Sequence, residues 1–409
     1  MKRALSLFII ILLALSMPAA MADSWTQAKK DAQHTSYTED ILKPPLKVAW
    51  SKEVGGQSVA SPVIWNDMVF SSNGAGKKIF AVDIKNGAPV WSFATDGYIE
   101  STAAIYDGNI IFGSYDGNVY KLDATTGDLI WKSFVNGGMY SSPLIYKDHV
   151  YTGTDSDRFY ALDLDSGKIS WTIDGVTQSS PAGWGDKVYA AMFDGELYAL
   201  NANDGSVAWS YDSGDVFHSS PMVWNGKLYI ATRSGTLYSF DANTGDMIWE
   251  YDLKYRTDAT PTMDENTNTV YIGTYGGYVH ALDANTGSLK WVSDFYGPIY
   301  STSAVSGDAL YGSSQDGKLF SLRTNDGSCL WTYELGSEVF ASPAISDGYM
   351  IIGTLGNKIY GFIETDIEST AAPVMDGPDI PARATTPSTD ILVCLLILTT
   401  IVLIIRKRE

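Results

Sequence analysis

Cysteine is nearly absent from this chain. Cys329 and Cys394 are its only two in 409 residues, and no Cys-x-x-Cys pair exists, so the sequence provides neither a disulfide framework nor a thiolate metal site. Histidine is almost as scarce: His34, His149, His218 and His280 are the only four, and no two stand at metal-ligand spacing. Basic charge is also short, with 28 Lys and Arg against 47 Asp and Glu. Between residues 23 and 390 the balance is 23 basic to 46 acidic, a net charge near −23. A field of that sign repels phosphate backbones and no basic groove is visible, which excludes nucleic acid as a partner.

Several catalytic signatures are missing as well. There is no Gly-x-Ser-x-Gly elbow, no His-Glu-x-x-His pair and no Gly-x-x-x-x-Gly-Lys-Ser/Thr loop. NGAGKK at 73–78 has the wrong spacing for a phosphate loop and reads as a hairpin between two strands. MDENTNT sets Asp264, Asn266 and Asn268 at calcium-loop spacing but lacks the Gly and Glu that complete such a cage, so it reads as a turn. Asp155 with Asp157, and Asp163 with Asp165, read the same way.

What the chain does have is a repeat. A phrase of the form KLDATTGDLIW recurs and ends each time on tryptophan, at Trp91, Trp131, Trp171, Trp209, Trp249, Trp291 and Trp331, and an eighth tryptophan, Trp50, stands alone at the front. Successive spacings are 41, 40, 40, 38, 40, 42 and 40, the mark of an array built from one supersecondary unit. The unit from Tyr140 to Trp171 holds four alternating runs, SSPLIY, HVYTGT, RFYALDL and KISWTI, separated by turn residues. That pattern predicts a four-stranded antiparallel sheet. A sheet apolar on both faces must stack on neighbours, and radial stacking gives a β-propeller.

A second column, the small-polar-Pro start of each first strand, supplies the blade count. It occurs at Pro62, Ala103, Pro143, Pro181, Pro221, Pro261, Ser303 and Pro343. The last unit ends near residue 364 without a fourth strand, and the strand around Trp50 is the missing piece. The prediction is an all-β, eight-bladed β-propeller over residues 45–364 whose ring is closed by the N-terminal strand near Trp50. The eight tryptophans are expected to be structural, each docking its blade to the next through apolar area and an indole N–H bonded at a turn.

These motifs resemble the PQQ-like repeat family of eight-bladed propellers, whose docking phrase is close to Ala-x-Asp-x-x-Thr-Gly-x-x-x-Trp. The lead-in SWTQAKKDAQHTSYTEDILKPPLKVAW is similar to the segment that precedes the first blade in many members. The resemblance gives Ala81, Asp83, Gly87 and Trp91, with their later counterparts, a structural role. Lys121, Ser239 and Ser321 replace the Ala and Arg323 replaces the Asp, so those blades are expected to dock less tightly. In the family's quinoprotein dehydrogenases a quinone lies over the ring centre beside calcium and commonly against a vicinal Cys-Cys disulfide. This chain has no such pair and no long insertion between repeats, so the resemblance transfers the fold and not the chemistry, and PQQ is not expected.

The two ends carry the long apolar runs. Lys2-Arg3, the run ALSLFIIILLALSM and Ala20-Met21-Ala22 read as a signal peptide over 1–22, followed by a lead-in over 23–44. A Pro- and Thr-rich linker is expected over 365–390, a transmembrane anchor over 391–405 and a basic tail over 406–409. Fifteen helical residues cover about 22 Å of a hydrocarbon core of about 30 Å, so flanking Arg and Lys would snorkel or the bilayer would thin. The basic tail places the C-terminus in the cytoplasm and the propeller outside, on a single-pass cell-membrane protein. The layout also resembles the processed sorting tails of archaeal surface proteins, though no Pro-Gly-Phe signature is present and a retained anchor is expected.

One candidate site remains. The residue three before each first-strand column should face the axial channel, giving Val59, Glu100, Tyr140, Gln178, His218, Asp258, Tyr300 and Phe340. As a ligand site, Glu100 and Asp258 would hold a cation and His218 would act as a base. The leading expectation is a non-catalytic binding or assembly scaffold for protein or glycan partners, similar in architecture to the outer-membrane assembly lipoprotein that shares this repeat. The alternatives are a quinone- or metal-binding oxidoreductase using the channel mouth, and a surface-layer or adhesion component.

Overall fold

A computed structural model describes residues 24–365 apart from Asp157 and Tyr296. The expected signal peptide, most of the linker, the anchor over 391–405 and the tail over 406–409 lie outside the described residues. Within them, no helix is long and apolar enough to cross a membrane.

The described chain forms eight antiparallel blades of four strands. In the third blade the strands are Leu144–Tyr146, His149–Gly153, Arg158–Asp163 and Ile169–Asp174, one for each of the four alternating runs. The second and third strands are buried on both faces, because each blade lies between two others. The cores therefore sit between blades: Tyr189, Leu197 and Ala199 of the fourth pack on Val223, Leu228 and Phe240 of the fifth. The eighth blade takes Leu46–Glu53 as its outermost strand, paired with Lys358–Glu364 from Leu46 opposite Glu364 to Glu53 opposite Lys358. The two ends of the ring are thus zipped together and no blade is left open at the seam.

The docking contact can be read atom by atom. In every outermost strand the register slips by one residue immediately before the tryptophan, a β-bulge that re-aims the indole toward the next blade. The Trp171 indole N–H donates to the Ala202 carbonyl at 3.2 Å, Trp209 to Ala242 at 3.0 Å and Trp249 to Ala284 at 3.0 Å. The ring lies flat on the turn glycine of that neighbour. At Gly205, with φ +72°, a Cβ would sit 2.5 Å from the Trp171 ring, so both backbone angle and space demand glycine. Trp331 packs edge-on against Phe362 of the final blade.

A second donor reaches the same carbonyl in several blades. The hydroxyl of Tyr151 donates to the Ala202 carbonyl at 2.8 Å, and Tyr189 and Tyr229 do the same to Ala242 and Ala284. In the second blade the position equivalent to Tyr151 is Ile111, which has no hydroxyl. Its cross-strand partner is Lys121, whose buried ammonium donates to the Leu164 carbonyl at 3.0 Å, beside the Trp131 indole. The looser docking expected at Lys121 is therefore corrected, since the lysine replaces the missing tyrosine donor. At Arg323 the turn loses its carboxylate acceptor but keeps the bond from the Ser328 N–H to Asp326, at 2.9 Å, whose counterpart other turns also make.

The turn expectations match the contacts. Gly74–Gly76 forms a single 3₁₀ turn between two strands of the first blade. Asp264 accepts from the backbone N–H groups of Asn266 and Thr267 within a strand-connecting turn.

Candidate functional site

The innermost strand of each blade leaves one edge facing the axis, with a backbone N–H that needs an acceptor. Residues 25–42 supply it. This lead-in winds round the inside of the ring as a strap, offering the carbonyls of Trp25, Thr26, Ala32, Gln33, Thr35 and Ser36 to the N–H groups of Ile64, Ile105, Gly183, Val223, Met263 and Val305. The Gln27 side-chain oxygen serves Ile145 and the Asp40 carboxylate serves Asp347. All eight blades are served, at 2.6–3.0 Å. Trp25 is 2% exposed and anchors the start of the strap. The strap occupies the half of the channel toward the turns that follow the innermost strands, and the opposite end forms the mouth.

Above the strap lies a closed circle of hydrogen bonds, built by the small-polar column. The backbone N–H of Ser61 donates to the Thr102 hydroxyl, Thr102 to Ser142, Ser142 to Ser180 and Ser180 to Ser220. Ser220 then donates to Thr260, Thr260 to Thr302, Thr302 to Ser342, and Ser342 back to Ser61. The eight links span 2.9–3.2 Å.

The eight mouth candidates stand two residues before this circle. Each except Tyr140 is half-buried, whereas the residue before each is buried. Tyr140 is 43% exposed. Its hydroxyl is pushed up to about 12, first by burial and then by the charges of Glu100 and Asp258. Glu100, Asp258 and Tyr300 therefore lie near Tyr140, and the Tyr300 and Phe340 rings meet at a tilt with centroids 4.9 Å apart.

A second column, not recognised in the sequence, completes the mouth. It is the residue before the turn that joins the second and third strands: Tyr115, Phe193, Arg233 and Tyr275 in their respective blades. The backbone N–H of each clasps the preceding interblade loop, as Arg233 does at the Val216 carbonyl. The repeated small-polar-x-turn-Gly phrase was its available signal. Arg233 lies 3.8 Å from Asp258 and donates to His218 Nε2 at 3.3 Å, while His218 Nδ1 faces Asp258 at 4.0 Å. Tyr275 donates to the other Asp258 oxygen, and the Arg256 guanidinium lies 3.8 Å over the Tyr275 ring.

This arrangement bears on both proposed chemical roles. Burial, aided by Arg233 and Arg256, holds His218 below its usual range, and the lone pair a base would use already accepts from Arg233. Asp258 is compensated by a guanidinium that a metal ion would have to displace. Glu100 is raised by burial and is hydrogen-bonded with Tyr115. No three His, Cys, Asp or Glu side chains among the described residues are grouped to hold a metal ion. Cys329 lies in an outermost strand and has no vicinal partner. These residues do not fit a calcium-bound quinone. His34 and His280 are buried in separate places, the latter pushed down to about 4 by burial.

On the mouth face, aromatic rings of the first four blades are exposed, in loops and at the end of the outermost strand Leu129–Phe134. Phe134 is 64% exposed, Tyr98 49% and Phe193 37%. Ser156, Gly175, Val176, Phe193 and Asp194 line a groove of about 450 Å³.

Comparison with known proteins places these features in context. The family model described as outer membrane protein assembly factor BamB matches residues 45–131, 81–217, 194–298 and 275–371. BamB from Moraxella catarrhalis superposes with a TM-score of 0.69 at 18% identity, covering 78% of this chain and 100% of its own. A europium-containing methanol dehydrogenase superposes with a TM-score of 0.75 at 14% identity, covering 84% and 98%. The computationally designed protein Ika8 gives 0.68 at 16% identity, covering 78% and 100%. No curated protein matches the chain by sequence. At these identities the superpositions speak for the fold alone.

Proposed function

The chain belongs to the family described as outer membrane protein assembly factor BamB, and from that premise we propose that it is a non-catalytic scaffold that binds a protein partner through the mouth face of its first four blades. The observation that carries this reading is the exposure of Phe134, Tyr98 and Phe193 on that face, the last of them lining a groove with Ser156, Gly175, Val176 and Asp194. Exposed aromatics grouped beside a concave surface favour protein recognition, because they bury large area at little entropic cost. The ion pairing within the mouth supports the non-catalytic reading, as the acid and imidazole are already engaged with Arg233.

The proposal extends to location: export through residues 1–22 and retention at the cell membrane by residues 391–405, with the propeller outside. A truncation after residue 390 should then shift the protein from the alkali-resistant membrane fraction to the soluble one. Glycan binding is the rival within this reading.

A photo-crosslinking amino acid placed at Phe134 or Tyr98, compared with one at Ile169 on the outer rim, tests the surface. Crosslinks to a protein at the mouth positions, with few at the rim, are expected. Crosslinking that is equal at rim and mouth, or a mouth that captures only glycan, would overturn the assignment.

A further inference from the structure

The strap carries an unexplained feature. Lys29, Lys30, His34 and Ser36 all adopt positive φ, at +58°, +84°, +62° and +53°. Such angles cost a non-glycine residue roughly 1 kcal/mol or more, and they persist where surrounding contacts over-determine the backbone, often at ligand sites. Glycine would relieve the strain, yet the chain places a lysine and a histidine there, and both side chains reach up from the strap. Lys29 Nζ donates to the Ser220 hydroxyl, a member of the circle, at 3.1 Å, and His34 Nδ1 meets the Pro221 carbonyl at 2.9 Å.

Lys29 has no carboxylate within ion-pairing distance among the described residues. Nothing offsets its desolvation, so burial lowers its amine to about 7, and its charge adds to the burial that keeps His34 neutral. The neighbouring acid, Asp31, is turned away: its oxygens accept from the backbone N–H groups of Gln33 and Thr35 and from the Thr35 hydroxyl. Meanwhile each hydroxyl of the circle accepts an N–H, and none of the eight donates its own proton to a protein acceptor among the described residues. The strap crosses the channel below the circle, so the Lys29 ammonium meets the ring of hydroxyls from beneath.

We propose that the junction of strap and circle binds a small oxyanion, an inorganic phosphate or sulfate or the carboxylate of a compact organic acid, with Lys29 as its charged ligand and the Ser220 region of the hydroxyl circle as supporting donors. Hydroxyls and an ammonium at one point satisfy an anion's lone pairs, and an enclosed site strengthens the attraction over that in water. The acids of the mouth stand two residues above the circle, where Asp258 faces the Arg233 guanidinium at 3.8 Å and Glu100 is hydrogen-bonded with Tyr115. The site makes no use of the partner surface and does not depend on the scaffold reading.

Titration calorimetry of the full-length chain with inorganic phosphate, sulfate and malonate tests the proposal. Saturable one-to-one binding of at least one is expected, weakened tenfold or more in Lys29→Gln and retained in Lys29→Arg; the preferred probe tells phosphate from carboxylate chemistry. A second readout needs no variant: acetylation of Lys29 by acetic anhydride at neutral pH, followed by peptide mass spectrometry, should slow severalfold when the anion is present. Failure of all three anions to bind, equal affinity in Lys29→Gln, or an unprotected Lys29 would each overturn the site.

Discussion

At the scale of single residues, blade docking turns on carbonyls that receive two donors. Ala202 accepts from Trp171 and Tyr151, and Leu164 accepts from Trp131 and Lys121. The tryptophan half of that contact was legible because the residue recurs at a fixed period. The tyrosine half was hidden among strand residues whose aromatic character already suits a β-sheet, and Lys121 looked like a defect because its compensating partner, Ile111, lies on another strand. Replacing Lys121 by Ala should cost about 2 kcal/mol, the worth of a buried hydrogen bond from an ammonium. Adding Ile111→Tyr in the same chain should recover much of that loss by restoring the arrangement of the third blade. Urea unfolding of the single and double variants measures both, and a double variant no more stable than Lys121→Ala would show that the lysine's role is different.

At the scale of the element, the bulge in each outermost strand is what turns a repeated tryptophan into a repeated contact. In the third blade Trp171 pairs with Ala161 while Ile169 pairs with Leu162, so Ser170 is the extra residue, and it is exposed. Alternation alone does not reveal it, since a bulge breaks the period of two that identifies a strand. Ser170→Ala should change stability by less than about 0.5 kcal/mol, because an exposed side chain makes little difference. Deleting Ser170 should instead rotate Trp171 out of its seat and cost about 3 kcal/mol or more, as truncating a packed tryptophan does. Thermal unfolding of the two variants and of Trp171→Ala separates the cases: a deletion as mild as Ser170→Ala would mean the bulge does not aim the ring.

At the scale of the whole molecule, two N-terminal segments hold the ring in different ways. Leu46–Glu53 closes it by completing the eighth blade, and the strap over residues 25–42 closes it from inside by touching every blade. Removing the chain up to residue 42 strips acceptors from seven inner edges and from the turn at Asp347, and exposes the seat of Trp25. The loss should be on the order of 5 kcal/mol, from hydrogen bonds worth about 1 kcal/mol each at most and the burial of one large ring. Comparing the truncated and full-length chains in urea, with limited proteolysis of the innermost strands, tests this. An unchanged midpoint would reduce the strap to decoration of an already stable ring.

The sequence by itself determined the repeat unit, the number of blades, the antiparallel strands and the closure at Trp50, because those rest on periodicity and turn chemistry written within about forty residues. It also offered a candidate mouth column, since one offset from one repeated motif names all eight positions. Only the tertiary structure decided what surrounds them. The ion pairing of Asp258 with Arg233 joins two blades, and the contact of Lys29 with Ser220 joins residues 191 apart in the chain. The strap obeys no period, because its irregular backbone must meet eight edges arranged on a circle. Contacts of that kind leave no local signature and exist only once the ring has closed.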